Sequence, residues 1–422
     1  MHPNFEEIAA TVCFALALIH TFSVSYFRRA AERFPRGSVV ESVLHGMGEV
    51  EVVFGLWAGV YLLILTGVTG FMPAAEFLKT LSFTEPLFVF AILALCATRP
   101  ILWLATKIIE RVSQALPLAP PLAFYSTALV IGPLLGSLIT EPAAMTVTAM
   151  ILLERFYRQG LSERLMYTTA GLLFVNVSVG GVLTPFAAPP VLMVAAPWGW
   201  DFEFMITQFG WRGALSCFLS TALVTFVFRK EIAGMTSAPA HPDNRALPSW
   251  VTLVHVLFLA GVVYAAHYPV ICLGLLAVLL GFMRATKDFQ NPLKLREATL
   301  VAFFLAGLVV LGARQRWWLE PLITNLEADA LFWGAMALTA ITDNAALTYL
   351  GAQVPGLSDV AKIALVGGAV VGGGLTVIAN APNPAGYGIL NPAFPDGGIR
   401  AFKLFLGALP PTLIAAVCFW LL

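Results

Sequence analysis

Long apolar segments separated by short polar loops fill the sequence from one end to the other. Segments of about 20 apolar residues are long enough to cross a bilayer as helices. They fall at 8–27, 46–68, 85–105, 165–197, 211–228, 250–267, 269–283, 298–313, 360–390 and 401–421. Two further apolar segments, 121–154 and 330–355, are interrupted by Glu141 and Asp343 and do not fit simple spans. The pattern predicts an all-α polytopic membrane protein.

The two interrupted segments carry near-copies of one motif. Residues 139–146 read Ile-Thr-Glu-Pro-Ala-Ala-Met-Thr, and residues 341–348 read Ile-Thr-Asp-Asn-Ala-Ala-Leu-Thr. A glycine-rich segment that ends in threonine follows each copy, from Gly180 to Thr184 and from Gly372 to Thr376. A duplicated interruption of hydrophobic segments indicates the binding site of a secondary transporter.

Basic residues favour the inner side of a membrane and therefore set the orientation of the chain. Four arginines at 28–36 follow the first span, which places the N-terminus outside. Three arginines at 155–164 then fall inside only if 121–154 enters and leaves the membrane on one side. We therefore expect 121–154 and 330–355 to be re-entrant helical hairpins. The alternative is that both segments cross the membrane fully, which places the arginines at 155–164 outside.

Each hairpin is followed by a span that prolines and glycines break, so both halves have the same order of elements in opposite orientation. This is an inverted-topology repeat. The predicted units are a first repeat with the N-terminal helix (1–230, hairpin 121–154, broken span 165–197), a polar cytoplasmic linker (231–249) and a second repeat (250–422, hairpin 330–355, broken span 360–390).

Glu141 and Asp343 lie deep in apolar sequence, where a charged group is costly and usually functional. The structural alternative is that each carboxylate only caps the half-helix that follows it. Thr140 and Thr342 are natural N-caps at these positions, so the carboxylates are not needed for capping. Asp343 is expected to matter more than Glu141, because it faces a break that contains Asn380 and Asn383. Glu141 is expected to face Ala187 and Ala188.

The broken spans offer further oxygen ligands, because proline frees backbone carbonyls in a helix. Their glycines also fit close helix packing, which is the alternative explanation. Since the tips are expected to converge from opposite faces, Thr140, Glu141, Thr342, Asp343 and Asn380 should line one cavity. The predicted ion- and proton-binding residues are Glu141, Asp343, Thr140, Thr342, Asn344, Asn380, Asn383, Thr184 and Thr376, with Na⁺ at Asp343, Asn344 and Asn380.

A third cluster, His45, Glu49 and Glu51, opens the second predicted span. His45 and Glu49 are four residues apart on one predicted helix face, where they are expected to pair, and Glu51 points elsewhere. The cluster fits a proton-entry route. An interfacial helix cap near the inner surface is the alternative, and the sequence leaves both open.

Composition excludes several other classes of protein. The chain is 59% hydrophobic and 11% charged, against roughly 25% charged residues in a soluble domain. Its net charge of zero gives no sign of a nucleic-acid partner. Its five cysteines are scattered singly along the chain, which argues against structural zinc or iron–sulfur ligation. An enzyme needs a nucleophile with a base, a metal cluster or a phosphate loop; we find none and expect no cofactor. A channel has no need of duplicated broken elements.

The charge pattern around the motifs distinguishes between substrates. Lys, Arg and His do not occur at 112–154, 165–211, 317–361 or 363–399. Two carboxylates with hydroxyl and amide oxygens suit Na⁺, or another monovalent cation, and H⁺. Burial of a carboxylate raises its pKa, so protonation competes with cation binding. This predicts antiport by alternating access; a sodium-coupled anion symporter is the alternative, since half-helix N-termini alone bind anions.

The motif from His45 to Gly55 and the two tip motifs resemble a family of Na⁺/H⁺ antiporters within the ion transporter superfamily. Relatives in that superfamily include citrate, arsenite and dicarboxylate carriers. The resemblance covers nearly the whole chain and implies an inner-membrane homodimer with a scaffold and a mobile, elevator-like transport domain. Glu141-Pro142 departs from the asparagine-containing tips of the sodium-coupled carboxylate carriers, which argues against a carboxylate substrate.

Overall fold

The computed structural model describes residues 3–236, 247–293, 295–395 and 398–421. All regular secondary structure in these ranges is helical, which confirms the all-α fold class. The helices are α1 Phe5–Ala31, α2 Val39–Met47, α3 Val50–Thr69, α4 Phe71–Lys79, α5 Thr84–Cys96, α6 Arg99–Ala115, α7 Pro120–Ile139, α8 Glu141–Arg155, α9 Glu163–Gly180, α10 Pro189–Trp198, α11 Phe202–Met205, α12 Trp211–Val227, α13 Arg229–Ala233, α14 Ser249–Tyr264, α15 Pro269–Ala285, α16 Leu295–Gly312, α17 Arg316–Ile323, α18 Ala328–Thr339, α19 Asn344–Ala352, α20 Asp359–Gly372, α21 Asn383–Leu390 and α22 Ala401–Trp420. Short 3-10 segments lie at Tyr157–Gln159, Gly181–Leu183, Lys287–Phe289 and Asn391–Ala393, and a π-helical turn lies at Ile206–Gly210.

Seven helical segments of the described chain are long and apolar enough to cross a bilayer. They are Phe5–Val24, Val50–Thr69, Pro120–Ile139, Glu163–Leu183, Phe202–Val227, Leu295–Gly312 and Ala401–Trp420. Helices α4 and α5, bent by 66° at their junction, form an eighth if they are taken as one span. The protein is therefore a multi-pass membrane protein whose surroundings are the lipid bilayer.

Two of the predicted spans have the wrong helix boundaries. The span predicted at 46–68 contains a break, since α2 ends at Met47 and α3 begins only at Val50. The span predicted at 85–105 is divided between α5 and α6. Gly48 follows α2, and Pro100 lies in the first turn of α6. Glycine is typical of a helix end and proline of a helix start, so both breaks have a local cause.

Helices α7 and α8 form a tight antiparallel hairpin that turns at Thr140. A Cβ on Gly132 would lie 2.3 Å from the Thr148 hydroxyl, and a Cβ on Gly136 would lie 3.2 Å from the Ala144 methyl group. These facing pairs are symmetrical about Thr140, as an antiparallel pair requires. Length alone would allow α7 to cross a bilayer, so the depth of this hairpin in the membrane stays a prediction.

In the first half, α7 runs parallel to α9. The Tyr125 hydroxyl lies 2.7 Å from the Thr169 hydroxyl, and further along both helices the Ser137 hydroxyl donates to the Gly180 carbonyl at 2.7 Å. In the sequence, α8 comes between α7 and α9 and runs antiparallel to α7. The chain therefore reverses its direction after α7 and reverses it again before α9. This is the course that a hairpin followed by a span must take.

In the second half, α18 runs parallel to α20 in the same manner. A Cβ on Gly368 would lie 2.1 Å from the Phe332 carbonyl oxygen, and one on Gly372 would lie 2.4 Å from the Met336 carbonyl oxygen. The order of first arm, return helix and broken span therefore recurs, with the first arm parallel to the span each time. The inverted orientation of the two repeats stays a prediction.

The described part of the linker predicted at 231–249 is attached to the first half. The Glu231 carboxylate accepts hydrogen bonds from the backbone N–H and the hydroxyl of Ser162 at 2.7 and 2.9 Å. The backbone N–H and hydroxyl of Thr236 both donate to Gln159 Oε1 at 2.9 Å. Residues 237–246 of the linker lie outside the described residues. The beginning of the linker is therefore anchored by polar contacts.

The two glycines that directly follow α20 lie in close contact with α9. A Cβ on Gly374 would lie 2.3 Å from the Val175 Cα, and one on Gly373 would lie 2.3 Å from the Ser178 hydroxyl oxygen. The Ser178 hydroxyl donates to the Val370 carbonyl at 2.7 Å. Only glycine allows a backbone to come this close, so the glycines set the distance between the two broken spans.

A side-chain amide compensates for the proline inside α7. Proline lacks an N–H, so Pro133 deprives the Leu129 carbonyl of its helical donor. Asn176 Nδ2 donates to that carbonyl at 2.8 Å and to Thr221 Oγ1 on α12 at 2.9 Å, and the Ser220 hydroxyl donates to Asn176 Oδ1 at 2.9 Å. Asn176 is fully buried. Its amide therefore holds together three helices around the proline.

We expect Asn176→Leu to lower the free energy of unfolding by about 1–3 kcal/mol, because the buried Leu129 carbonyl would lose its donor at 2.8 Å and keep the weaker one, the Thr221 hydroxyl at 3.4 Å. The measurement is thermal or denaturant unfolding of the purified protein in detergent. Asn325→Leu is the matched control, since Asn325 is exposed and its amide donates to the Pro321 carbonyl, where water can replace it. Equal stability of the two variants would contradict the role of Asn176.

Candidate functional site

The tip of the first hairpin is a strained and buried turn. Thr140 joins α7 to α8 with φ 71° and ψ 149°, and it is the one non-glycine residue with positive φ in the described chain. Its buried hydroxyl has no hydrogen-bond partner and does not cap α8. The predicted cap is therefore wrong, because a capping residue has an extended conformation with negative φ. Backbone strain of this kind clusters at functional sites.

Glu141 begins α8 and is 0% exposed. Its Oε2 accepts a hydrogen bond from Asn380 Nδ2 at 2.8 Å, whereas its Oε1 has no hydrogen-bond partner. The carboxylate lies against the first glycine-rich break, since a Cβ on Gly181 would lie 2.5 Å from Oε1. A buried carboxylate with one neutral donor is unfavourable as an anion. Its surroundings therefore favour the uptake of a positive charge.

The contact between Glu141 and Asn380 joins the two halves of the chain. It corrects the expectation that Glu141 faces the amide-poor break at Ala187 and Ala188, because its hydrogen-bond donor comes from the second break. The physical reason is the close contact of Gly373, directly after α20, with Ser178 on α9, which brings residues of the second break to the first hairpin tip.

The second tip has a different design. Asp343 is the N-cap of α19, and its Oδ1 accepts hydrogen bonds from the backbone N–H groups of Ala345 and Ala346 at 2.8 and 3.1 Å. Thr342, the predicted cap, instead donates to the Leu338 carbonyl at 2.8 Å. Asp343 has the extended conformation of a cap, with φ −76° and ψ 137°. Capping is thus one role of this carboxylate, and it occupies only one of its two oxygens.

A cavity of about 20 Å³ lies between Asp343 and Asn380, with Glu51 on its wall. This volume is room for one water-sized occupant. Asn380 is therefore shared, because its amide donates to Glu141 and its side chain lines the cavity with Asp343. The other residues expected in this cavity do not line it: Thr140, Glu141 and Thr342.

Two further amides lie fully buried beside the second break. Asn383 Nδ2 donates to the carbonyls of Gly373 and Thr376 at 2.7 and 2.8 Å, and its Oδ1 has no partner. Both polar side-chain atoms of Asn344 lack a partner, although its backbone N–H donates to the Ala379 carbonyl at 3.0 Å. Broken helices of transporters coordinate cations with such oxygens, and these two amides are available for that purpose.

The threonines of the two breaks hold the breaks to the hairpins. The Thr184 hydroxyl donates to the Ser137 carbonyl at 2.7 Å, and the Thr376 hydroxyl donates to the Ala340 carbonyl at 2.8 Å. A hydroxyl that donates one hydrogen bond keeps lone pairs that can bind a cation. Cation binding by Thr184 and Thr376 stays a prediction beside this structural role.

The charge balance of the site is negative. Glu141 and Asp343 lie in segments without Lys, Arg or His, and the donors that reach their carboxylates are the Asn380 amide and two backbone N–H groups. The described residues contain no group of three or more His, Cys, Asp or Glu side chains that could hold a metal ion. The oxygens present at the site belong to carboxylates, amides and backbone carbonyls.

The cluster at the start of α3 departs from its predicted pairing. His45 Nε2 lies 3.3 Å from Glu41 Oε1 within α2, and Glu49 forms an ion pair with Arg296 at the start of α16. The predicted pair of His45 and Glu49 is therefore wrong. Gly48 ends α2 between them, so the two residues do not share one helix face.

Glu51 lies apart from His45 and Glu49. It is on the first turn of α3 and lines the small cavity together with Asp343. His45 and Glu49 are not on the wall of that cavity. Proton entry through the three residues stays a prediction, and Glu51 is the member of the cluster nearest to the site.

Ser137 is a residue of the site that the motifs do not single out. Its hydroxyl donates to the Gly180 carbonyl at 2.7 Å and accepts from the Leu183 backbone N–H at 2.9 Å. The signal that points to it is a hydroxyl four residues before each carboxylate, Ser137 before Glu141 and Thr339 before Asp343. The sequence similarity of the two halves therefore extends about one helical turn before the near-identical motifs, to Ser137 and Thr339.

Fold and site together define a multi-pass membrane protein with one fully buried and one half-buried carboxylate at helix breaks, which is the arrangement of an ion transporter. The family model described as "Putative Na+/H+ antiporter" matches residues 5–422, and the chain belongs to this family. A comparison with curated proteins finds no match. Among solved structures, the crystal structure of the Alcanivorax borkumensis YdaH transporter, described as having an unusual topology, is similar to this chain. The two share 16% identity over 87% of this chain and 96% of that one, with a TM-score of 0.49.

We expect Gly181→Ala to reduce transport about tenfold or more. The new methyl group would lie 2.5 Å from Glu141 Oε1, which displaces the carboxylate and breaks its hydrogen bond to Asn380; losing one such bond changes an equilibrium by roughly tenfold. The measurement is Na⁺-driven proton flux in proteoliposomes. Gly274→Ala on α15 is the matched control, because a Cβ there meets no atom within 4 Å. Normal flux in the Gly181 variant would show that this close contact is unimportant.

Proposed function

We propose that the protein exchanges Na⁺, or another monovalent cation, for H⁺ by alternating access, with an elevator-like movement of the hairpins and broken spans. The observation that carries the proposal is the Glu141 carboxylate, which is completely buried and has one neutral amide as its protein partner. Such a group needs a positive charge that can come and go. A proton and a metal cation both meet that need, and each excludes the other.

The transported cation has an oxygen-lined place in this proposal. Asp343 and Asn380 flank a cavity that holds one water-sized occupant, and the buried Asn344 amide oxygen is unpartnered. We assign Na⁺ to these three residues. Glu141 is the second titratable group, and Asn380 connects it to the cation because the same side chain contacts both.

A sodium-coupled anion symporter is the alternative, and two observations count against it. An anion at the second tip would use the N-terminal amides of α19, but the Asp343 carboxylate already accepts the hydrogen bonds of Ala345 and Ala346. The cavity of about 20 Å³ is also too small for a carboxylate substrate of several non-hydrogen atoms. Both observations favour a bare or nearly bare cation.

The cellular setting follows from the same proposal. The protein is placed in the inner membrane. The arginines at 28–36 favour an N-terminus on the outer side of that membrane and a following loop on its inner side. We also propose a homodimer, which the resemblance to a scaffold-and-transport-domain architecture supports. Membership of a transporter family agrees with a role in ion movement without catalysis.

Asp343→Asn and Glu141→Gln should each reduce exchange to the background rate while the protein still folds. Each amide keeps the shape of the side chain and removes both its charge and its titratable proton. Asparagine is as good an N-cap for α19 as the native aspartate, and a neutral group is easier to bury than a charged one. The assay is proton flux reported by a pH-sensitive dye in proteoliposomes, with Na⁺, K⁺ and candidate anions compared.

Glu203→Gln is the matched control for these two variants, because Glu203 is exposed and lies on the short helix α11. Its exchange rate should equal that of the wild type. A well-folded Asp343→Asn protein that exchanges Na⁺ for H⁺ at the wild-type rate would refute the assignment of the cation site.

Na⁺ and H⁺ should compete for the site, so the apparent Na⁺ affinity should weaken as the pH falls. One competing proton predicts roughly tenfold weaker binding per pH unit on the acid side of the apparent pKa. That pKa belongs to Glu141 and Asp343 together, because coupled carboxylates titrate as a pair. Calorimetry over about two pH units measures the apparent Na⁺ affinity as a function of pH. An affinity independent of pH, or binding seen only with an added anion, would favour the symporter.

A further inference from the structure

The first hairpin is attached to its broken span by a hydroxyl close to the tip. Ser137 is 1% exposed, donates to the Gly180 carbonyl and accepts from the Leu183 N–H. Its own carbonyl accepts from Thr184. These three bonds connect the last turn before the tip to the beginning of the break, from Gly180 to Thr184. The position of the Glu141 carboxylate beside Gly181 depends on this attachment.

The second half has a hydroxyl at the equivalent place. Thr339 lies four residues before Asp343, as Ser137 lies four residues before Glu141. Thr339 also lies beside the first glycine of its own break, because a Cβ on Gly372 would be 3.0 Å from the Thr339 Cβ. The pair of Thr339 and Gly372 therefore corresponds to the pair of Ser137 and Gly180.

The two hydroxyls differ in one respect. The Ser137 hydroxyl donates one hydrogen bond and accepts another, whereas the Thr339 hydroxyl is 0% exposed and has no hydrogen-bond partner. A buried hydroxyl without a partner is destabilising compared with an apolar group of the same shape. Valine has that shape and would fit the site. A threonine at position 339 is therefore explained if its hydroxyl forms a hydrogen bond in another conformation of the protein.

We propose that the Thr339 hydroxyl is a positioning group of the transport cycle, open in this structure and bonded to the Gly372 carbonyl in the alternate state. This inference rests on the proposed transport function. The Gly372 carbonyl accepts one hydrogen bond from the Leu375 N–H at 3.1 Å and has a second lone pair for Thr339. Closure draws the end of α18 towards the break, as Ser137 already does in the first half.

Closure of this bond acts on the site because the segment after Thr339 carries Asp343. That segment is held to the second break by the bond from Thr376 to the Ala340 carbonyl and by the bond from Asn344 to the Ala379 carbonyl. Both pieces of chain line the small cavity, with Asp343 from one and Val377, Ile378, Asn380 and Ala381 from the other. Drawing them together narrows the cavity.

The test compares Thr339→Val with Thr339→Ser. The valine variant should have an unchanged or higher melting temperature, because it removes an unpartnered hydroxyl, yet its maximal exchange rate should fall about tenfold, the effect of one lost hydrogen bond. The Na⁺ concentration at half-maximal rate should not change, and the serine variant should restore the rate. A residue with only a structural role would change stability and rate together.

Thr127→Val is the matched control, because the Thr127 hydroxyl is also buried and unpartnered and lies on α7, thirteen residues before Thr140 in the sequence. It should exchange at the wild-type rate. Wild-type exchange in Thr339→Val, or failure of Thr339→Ser to restore exchange, would overturn the proposal.

A second measurement does not depend on the transported ion. Ala381→Cys places a thiol on the wall of the small cavity, and the five native cysteines are all buried. A thiol reagent should label this cysteine several-fold faster when Thr339→Val is added, since the closed state is lost, and no faster with Thr339→Ser. Equal labelling rates would overturn the inference even if exchange is confirmed. Absence of Na⁺/H⁺ exchange in the wild type would refute the proposed function alone.

Discussion

A carboxylate removed from water must be protonated, paired or bound to a cation, and the arrangement around Glu141 follows from this constraint. The polar group nearest to its carboxylate is the Asn380 amide, which arrives from the other half of the chain. Asn380 lies in the break between α20 and α21, where the chain passes close to the first hairpin tip. The breaks, the close contact of the glycines with α9 and the strained turn at Thr140 all serve this one contact.

The duplicated halves use their carboxylates differently. Asp343 is half-buried and satisfies one oxygen with backbone N–H groups of its own helix, whereas Glu141 is completely buried and has only a side-chain donor. Desolvation therefore acts more strongly on Glu141, and Asp343 has a structural duty as a cap. The two carboxylates occupy equivalent places in the sequence motif, but the free-energy cost of ionising them differs.

The sequence could predict features with local causes. The helix breaks at Thr140 and Asp343 follow from the motif itself, and the all-α membrane fold follows from the length of the apolar segments. Local signals also explain one failure, since Gly48 ends a helix and separates His45 from Glu49. The partner of Glu141 could not be predicted, because it depends on how two distant parts of the chain come into contact.

The capping prediction failed for a related reason. Whether a threonine or the next residue caps a helix depends on the backbone angles of the turn, and the motif alone does not specify them. The two turns differ in the structure, with one residue between helices in the first half and four in the second. The similar amino-acid sequences at 139–146 and 341–348 therefore fold into two different hairpin tips.

The close contact between α9 and the two glycines after α20 has a consequence for how the two repeats can diverge. At the contact, the second repeat contributes Gly373 and Gly374, and the first contributes Val175 and Ser178. Any side chain added to the glycines collides with the neighbouring helix, while the residues of the first repeat already carry side chains there. After a duplication, mutation is therefore restricted more severely in the second copy than in the first, and the two copies lose their symmetry unequally.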